Sequence, residues 1–330
     1  MKPKIIVMGG GTGTFTILTG LKKYDVDLTA VVSSADNGGS NKKFRDEFGL
    51  LPPSDFRQCL VALSSDEPSH QTLRNLMMYR FTKGVGLEGQ TFGNILIAAL
   101  TDIEGNQMKA MEVAGHILNI IGEILPITLD DVNLMAEYEN GDIIFGEHLI
   151  DEPEEFHDSK QRIKKLFLNR TSNIYEKTRD RIAESDYIIL GPGDLYTSTL
   201  ANAVVGGAFE AIKNTKAKII FVVNLMTKYG QTYGFTVKDH VEEITKYIGR
   251  KPDFIIINNT PLPQDMLDRY IVLNDSPVID DVSEMDKNII RADLLAEEVV
   301  EKQQGDTLKR SLIRHDSDKV AREIMKIVNK

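Results

Sequence analysis

The residue types best suited to ligand binding occur first in a glycine-rich segment, VMGGGTGTF, at Val7–Phe15. The segment follows an apolar run and precedes a helical pattern, so its backbone N–H groups are expected at the start of a helix. Glycines let a phosphate approach the backbone closely, and the amides at a helix start present partial positive charge to it. The candidate phosphate-binding residues of this segment are Gly10, Gly11, Thr12 and Gly13.

The glycine spacing does not complete any standard nucleotide-binding fingerprint. A G-x-G-x-x-G motif read from Gly9 or from Gly11 needs glycine where the sequence has Thr14 or Thr16, and the Gly-Lys-Ser/Thr ending of a P-loop is absent. An NAD-dependent dehydrogenase is disfavoured, also because the second predicted strand ends without an acid. A tight strand-to-helix turn that binds no ligand is the alternative.

A second polar segment follows the next apolar run, within Ser33–Leu63. Ligands of open α/β sheets bind at the carboxyl ends of the strands, where this segment is expected. An Asn-Gly turn followed by a solvated short helix is the alternative. The candidate ligand-binding residues here are Asp36, Asn37, Gly38, Ser40, Arg45 and Arg57. The Asp36 carboxylate could also hold Mg²⁺ jointly with ligand phosphates.

A third segment, LGPGDLYTSTLANAVVGG, follows another apolar run at Leu190–Gly207. Its glycines predict a second strand-to-helix turn, and two such turns can hold a diphosphate from both sides. The alternative is that Asp194 simply caps the following helix. The candidate ligand-binding residues of this segment are Gly191, Gly193, Asp194, Leu195 and Thr197.

Three further polar residues are candidates at the same edge of the sheet. Asn94 opens an apolar helical pattern, where it either caps the helix or reaches the ligand, and Asn224 and Lys228 follow the run Lys218–Val223. Lys228 could neutralise a phosphate, although a lone lysine is more often solvated. No His/Cys/Asp set has zinc spacing, and no nucleophile or acid/base pair is evident, so the catalytic residues are unknown.

The elements that position these residues alternate between short apolar runs and longer helical patterns. The predicted strands are Lys4–Met8, Leu28–Val32, Asp186–Leu190, Lys218–Val223 and Asp253–Ile257. Continuous apolar runs indicate strands that are covered on both faces. The fold class predicted is therefore α/β and Rossmann-like, with a mainly parallel sheet flanked by helices.

A hairpin interrupts this alternation. Asn140-Gly141 separates two strand patterns and predicts a small β-hairpin insertion over residues 122–150, at a sheet edge. No linker is evident, so residues 1–330 are predicted to form a single α/β domain. The tail ends in an amphipathic helix that could pack on the sheet.

The composition excludes several classes of protein. With 39 basic and 49 acidic residues among 330, the net charge is -10, which argues against nonspecific nucleic-acid binding. No apolar stretch is long enough for a membrane span. The single cysteine, Cys59, and an N-terminal apolar run too short for a signal peptide predict a cytoplasmic location.

Six ordered blocks of the sequence resemble the bacterial gluconeogenesis-factor family. The blocks are the triple-glycine loop, ADNGGS…FRDEFGLLPPSDFRQCLVAL, TFGNILIAALT, GPGDLYTST, NLMTKYGQTYGFTVKDHV and RHD. That family is related to the 2-phospho-L-lactate transferases of coenzyme F420 synthesis. The resemblance implies a Rossmann-like fold, a cytoplasmic location, a UDP-sugar ligand, and a role in cell shape and envelope synthesis during gluconeogenic growth. It also suggests self-association, and the downstream envelope-synthesis protein is unknown.

The sequence departs from this family in the second block. Family members commonly have a second aspartate and a Ser-Ser-Gly turn there, whereas this chain has Asn37 and Ser40-Asn41-Lys42. Asp36 is then the only carboxylate of that turn, which weakens a paired-acid metal site. No residue string specifically supports a deazaflavin acceptor.

Two functions remain open from the sequence. The first is a non-catalytic, sensor-like protein that binds a UDP-sugar such as UDP-N-acetylglucosamine, because the predicted phosphate site lacks an obvious nucleophile. The second is a magnesium-dependent transferase, because phosphoryl chemistry depends mostly on positioning and charge neutralisation. No cofactor is certain, and Mg²⁺ is the candidate.

Overall fold

The computed structural model describes residues 1–35, 38–153, 157–283, 286–297 and 312–330, without the side chains at 39, 40, 42 and 43. The strands are β1 (Lys4–Gly9), β2 (Asp27–Val32), β3 (Glu123–Pro126), β4 (Leu134–Tyr138), β5 (Ile143–Phe145), β6 (Ile163–Leu168), β7 (Tyr187–Leu190), β8 (Lys218–Val222), β9 (Phe254–Asn258) and β10 (Ile289–Ala292). Each strand predicted from an apolar run is present.

The helices fill the intervals between the strands. They are α1 (Gly11–Leu21), α2 (Gly39–Phe48), α3 (Pro53–Leu63), α4 (Pro68–Met78), α5 (Phe92–Glu104), α6 (Gln107–Ile117), α7 (Glu147–Asp151), α8 (Glu176–Glu184), α9 (Ala201–Ala203), α10 (Ala208–Asn214), α11 (Val237–Ile248), α12 (Gln264–Ile271) and α13 (Ser317–Val328). A π-helix, Leu195–Leu200, runs directly into α9. Among the described residues, none of these helices has the length and apolar character needed to cross a membrane.

A seven-stranded sheet of the described residues forms the centre of the molecule. Its order is β10-β9-β8-β7-β1-β2-β3, and every neighbouring pair is parallel. Alternate residues of β1 face two cores: Ile6 and Met8 pack towards α8, α10 and α11, whereas Ile5 and Val7 pack towards α1, α3 and α13. Burial on both faces explains the continuous apolar runs, and the predicted α/β fold class is confirmed.

The strand order reverses between β1 and β7. From β1 the chain proceeds to β2 and β3 on one side, whereas from β7 it proceeds to β8, β9 and β10 on the other side. The loops that leave the carboxyl ends of β1 and β7 therefore diverge to opposite faces of the sheet. Such a switch point opens a crevice at the carboxyl edge, which is where open α/β sheets bind their ligands.

The predicted hairpin is present and its strand β5 lies at a sheet edge, but that sheet is separate from the main one. β4 and β5 pair across the Asn140-Gly141 turn, where Gly141 has a φ of 91°, and β6 pairs with β4 to complete a separate antiparallel sheet. The hairpin is not an edge of the main sheet. The range 122–150 also does not coincide with the small sheet, because it includes β3 of the main sheet and omits β6.

Helix α1 begins earlier than the apolar pattern predicts. The periodic apolar residues begin at Phe15, but the helix begins at Gly11, so the glycine-rich segment supplies the first turn itself. The C-terminal helix α13 packs against α1, where a Cβ atom on Gly20 would clash with the backbone of Ser317. The predicted tail helix is present, but it packs on α1, whereas the prediction placed it on the sheet.

Candidate functional site

The two glycine turns predicted from the sequence meet at the switch point. Gly10 is the N-cap of α1 and Gly13 lies in its first turn. A Cβ atom on Gly13 would lie 2.7 Å from the Cα of Gly193, and one on Gly193 would lie 3.2 Å from the Gly10 carbonyl oxygen. The two backbones are therefore in direct contact, which only glycine permits at position 13, and a side chain at position 193 would be tightly packed.

Asp55, in the first turn of α3, holds the glycine turn from the opposite side. Its Oδ1 accepts a hydrogen bond of 2.9 Å from the Gly11 N–H, and a side chain on Gly10 would overlap the carboxylate. The carboxylate therefore lies at the N-termini of both α1 and α3, where the helix dipoles favour negative charge. The N–H groups of Thr12 and Gly13 have no acceptor within α1, as is general for the first turn of a helix.

Asn224 holds the second glycine turn in place. It follows the end of β8, and its Nδ2 donates to the carbonyl oxygens of Gly193, at 2.9 Å, and Pro192, at 3.3 Å. Gly191 has a φ of 75°, and a cis peptide bond joins it to Pro192. The predicted candidates Asn224, Gly191 and Gly193 therefore belong to one local unit.

An ion cluster lies beside the second turn. Lys228 Nζ pairs with Asp194 Oδ2 at 2.8 Å and also with the Asp151 carboxylate, which α7 supplies. Gln231 Nε2 donates to Asp151 Oδ1 at 2.9 Å. Between a quarter and two fifths of the Asp151, Asp194 and Lys228 side chains remains exposed. Lys228 is thus not a lone solvated lysine, because its ammonium group pairs with two carboxylates of the protein.

The ion cluster changes the pKa of each member. Burial raises the pKa of Asp151 to about 6, against the attraction of Lys228. Burial also opposes ionisation of Asp194, but Lys228 outweighs it and lowers the Asp194 pKa below its ordinary value. The two carboxylates together outweigh the burial of Lys228 and raise its pKa. The cluster therefore holds a permanent cation and one carboxylate that titrates near neutrality.

The segment after Asp194 is a π-helix rather than a capped α-helix. The N–H groups of Ser198 and Thr199 both donate to the Asp194 carbonyl oxygen, at 3.1 and 3.0 Å, and the Asp194 side chain caps nothing. Single π-turns occur often at functional sites. Leu195 and Thr197 are buried in this segment, and the Thr197 hydroxyl donates to Asp151 at 3.4 Å.

Arg57 and Asn94 form a second polar cluster next to Asp55. Arg57 Nε donates to Asn94 Oδ1 at 2.8 Å, and Asn94 Nδ2 donates to the Ser54 hydroxyl at 3.3 Å. The Ser54 hydroxyl in turn donates to Asn41 Oδ1 at 2.7 Å. Both Arg57 and Asn94 are buried. They join α2, α3 and α5 behind the glycine turn.

The other predicted site residues lie elsewhere or outside the description. Arg45 donates to Asn133 Oδ1 at 3.0 Å and pairs with Asp131, so it ties α2 to the segment before β4. Gly38 is the N-cap of α2, and Ser40 belongs to that helix. Asp36 and Asn37 lie outside the described residues, as does the side chain of Ser40. Among the residues that are described, no cluster of three or more His, Cys, Asp or Glu could hold a metal.

Sequence reasoning did not select Asp55 or Asp151 as site residues. A signal for Asp55 was available, because an acid in the first turn after Pro-Pro-Ser stabilises a helix start. No local signal identifies Asp151, which lies 43 residues before Asp194 and 77 before Lys228 in the chain. Only the fold brings α7 to the carboxyl edge of the main sheet.

The fold and the site together place the chain in the class of parallel α/β proteins in which two glycine turns are in contact at the switch point of the sheet.

Known proteins with similar sequences agree with this class. The sequence model of the family described as 2-phospho-L-lactate transferase CofD matches residues 5–295. The gluconeogenesis factor of Bacillus subtilis is 37% identical over 322 residues, covering 97% of this chain and 96% of that protein. That of Listeria innocua is 34% identical, covering 97% and 94%.

A solved structure extends the similarity to the fold. The crystal structure of a UPF0052 family member from Bacillus halodurans superposes with a TM-score of 0.86 at 34% identity, covering 98% of this chain and 99% of that one. The chain therefore belongs to the gluconeogenesis-factor family, within the group related to 2-phospho-L-lactate transferase.

Proposed function

We propose that this protein binds a UDP-sugar, such as UDP-N-acetylglucosamine, with the diphosphate at the contact between the two glycine turns. The observation that carries the proposal is the backbone contact of Gly13 with Gly193 between β1 and β7. That contact brings the start of α1 and the start of the helical segment after Asp194 to one crevice. First-turn N–H groups at such a crevice are suited to phosphate oxygens.

The acidic side chains of the crevice favour a ligand that arrives with a cation. Asp55 accepts the Gly11 N–H, and Asp151 and Asp194 share Lys228. These carboxylates repel a bare diphosphate, whereas Mg²⁺ between carboxylate and phosphate oxygens removes the repulsion. The Asp55 carboxylate lies at the glycine turn and could hold the ion. Asp36 is the metal ligand that the sequence predicts. We therefore expect Mg²⁺ to strengthen binding.

The cellular role that we propose is cytoplasmic regulation of envelope synthesis and cell shape during gluconeogenic growth. The name of the relative from Bacillus subtilis, gluconeogenesis factor, supports the link to gluconeogenic growth. The envelope and cell-shape part of the proposal rests on the resemblance of the six sequence blocks. Expression of this chain in a strain that lacks its own gluconeogenesis factor should restore growth and cell width on a gluconeogenic carbon source. Unchanged growth and width, with the protein present at normal levels, would contradict the role.

Calorimetric titration with UDP-N-acetylglucosamine, UDP-glucose, GTP and NAD, with Mg²⁺ and with chelator, tests the ligand. We expect selective binding of a UDP-sugar, tighter with Mg²⁺, and chromatography should recover the ligand intact. Selectivity for GTP or NAD would overturn the proposal.

A transferase is the second candidate function. The match of residues 5–295 to the 2-phospho-L-lactate transferase family favours it. The same chromatography separates the two candidates, because a transferase or slow hydrolase would convert the UDP-sugar when Mg²⁺ is present. If the UDP-sugar is converted with Mg²⁺ but not with chelator, the protein is an enzyme and the proposal of a non-catalytic sensor is wrong.

A further inference from the structure

The small antiparallel sheet has one covered edge and one open edge. On the β6 side, the Leu166 N–H donates to the Tyr247 hydroxyl at 2.7 Å, and Lys246 Nζ donates to the Lys164 carbonyl oxygen at 3.1 Å. Helix α11 therefore covers that edge. On the β5 side, β4 is the strand's only partner within the described part of the chain. An open strand edge is a template for pairing with another chain.

The register of β5 against β4 shows which backbone groups face outward. The Gly146 N–H donates to the Leu134 carbonyl oxygen at 2.7 Å, at one end of the ladder. Hydrogen-bonded and non-hydrogen-bonded pairs alternate along an antiparallel ladder, so β5 bonds to β4 through Ile144. The N–H and C=O groups of Ile143 and Phe145 therefore point away from β4.

The outward face of the small sheet is apolar along this edge. Phe145, Met135 and Phe167 lie side by side across β5, β4 and β6, and Ile143 lies beside Glu137 in the next row. Ile143 and Phe145 are 59% and 49% exposed. Apolar side chains at alternate positions of an edge strand provide the side-chain contacts for a strand that is added there.

Acidic residues flank β5 at both ends. Asp142, which is exposed, precedes the strand, and Glu147 follows it. Among the described ion pairs, the partner of Asp142 is the imidazole of His157, at 3.5 Å, rather than a lysine or an arginine. The edge is therefore complementary to a strand that has a basic residue at each end.

A second copy of this chain fits the edge less well. Pairing of β5 with itself about a two-fold axis at Ile144 would place Asp142 beside Glu147 of the other copy, and like charges destabilise a strand pair. The apolar area is also small. Ile143 and Phe145 together expose about as much as one large side chain, roughly 200 Å², whereas a stable interface buries about 800 Å² on each partner.

We propose that the open edge of β5 binds an extended segment of a partner protein, which adds a fourth strand to the small sheet. The segment has apolar side chains at alternate positions, packed on Ile143 and Phe145, and a basic residue at each end. The inference does not depend on the proposed ligand. Because α7 joins β5 to Asp151, the partner would bind one short helix along the chain from the ion cluster.

Fluorescence anisotropy with a labelled, end-capped peptide, Lys-Val-Thr-Val-Thr-Val-Lys, tests the proposal on the full chain. When the valine N–H groups face β5, the valine side chains lie on the same face as Ile143 and Phe145. We expect saturable binding below about 1 mM. N-methylation of the valine amides should weaken binding at least about tenfold, and N-methylation of the threonine amides should have little effect. Glutamate in place of both lysines should also weaken it at least about tenfold.

Ile143→Lys, which places a charge on the edge, tests the location, with Ile279→Lys as the matched control. Ile279 is 65% exposed and does not belong to the small sheet. We expect Ile143→Lys to weaken the unmodified peptide at least about tenfold and Ile279→Lys to leave its affinity unchanged. The comparison of methylated peptides uses the wild type, so it tests the proposal even if Ile143→Lys does not fold.

Three outcomes would overturn the inference. The first is that the unmodified peptide does not bind. The second is that it binds no more tightly than the valine-methylated peptide, because backbone pairing would then be absent. The third is a dimer in sedimentation velocity that Ile143→Lys dissociates, because the edge would then bind a second copy of this chain.

Discussion

Single side chains of this site act mainly by holding backbone in position. Asp55 accepts the Gly11 N–H, and Asn224 donates to the Gly193 carbonyl oxygen, so each glycine turn has its own polar support. Asparagine and aspartate suit this task because their short side chains carry few rotamers to restrain. The side chains fix the turns, and the turns present the N–H groups.

Asp151 makes the stability of the fold depend on pH. Its pKa is about 6 in the folded protein and near the ordinary value of 3.8 in the unfolded chain. The folded state therefore retains the proton between these values, and the stabilisation present below pH 3.8 is lost as the pH rises through 6.

We expect Asp151→Asn to remove this pH dependence. From pH 4 to pH 7 the free energy of unfolding of the wild type should fall by about 2 kcal/mol relative to the variant. Urea unfolding at half-unit pH steps measures the difference. Asp265→Asn, at an exposed position of α12, is the control. Parallel curves for wild type and Asp151→Asn would contradict the assigned protonation of the ion cluster.

At the scale of elements, the decisive contact is between the first turn of α1 and the turn after β7. Gly13 is required by this contact, because the turn after β7 occupies the space that a side chain at position 13 would need. Gly11 differs, because its φ of 62° favours glycine while the nearest atom to a Cβ there is 4.0 Å away. Alanine substitutions at positions 11 and 13 can therefore distinguish a glycine required by its backbone conformation from one required by close contact.

Gly13→Ala should therefore be more damaging than Gly11→Ala. The first substitution forces the two backbones apart, whereas the second adds left-handed strain of about 1–2 kcal/mol without a clash. We expect Gly13→Ala to weaken UDP-sugar binding more than about tenfold, and Gly11→Ala to weaken it less. Calorimetry with thermal unfolding as a folding check measures both. Equal losses in the two variants would show that contact between the turns is not required.

At the scale of the whole molecule, helices from distant parts of the chain pack together to cover the sheet. Helix α13 covers α1, so it supports the helix that begins with the first glycine turn. Ile324 is fully buried in the core that α13 shares with α1 and α3. The site is therefore sensitive to changes at the far end of the chain.

Ile324→Ala should destabilise the protein by about 2–5 kcal/mol, because it leaves a cavity beneath α1. Chemical denaturation measures the loss, and Arg322→Ala, at an exposed position of the same helix, should be nearly neutral. A loss below about 1 kcal/mol for Ile324→Ala would mean that packing of α13 does not support α1.

The sequence by itself determined five of the seven strands of the main sheet, the α/β class and the two glycine turns, but it did not indicate β3 or β10. These features depend on local patterns, namely apolar runs of strand length and glycines directly after them. The apolar periodicity of α1 begins only at Phe15, four residues after the helix itself begins at Gly11, because the glycines of its first turn carry no apolar pattern. The hairpin was found from Asn140-Gly141, but its partner β6 was not.

Only the tertiary structure decided which residues meet. The contact of Gly13 with Gly193 joins positions 180 residues apart, and Lys228 finds Asp151 across 77 residues. Such pairings depend on strand order and on the switch point between β1 and β7, which no local pattern specifies. Arg45 shows the same limit, because a cation predicted for the site pairs with Asp131 instead. Local sequence patterns thus determine where helices and strands form. Which strands become neighbours depends on long-range packing, which buries both faces of the sheet.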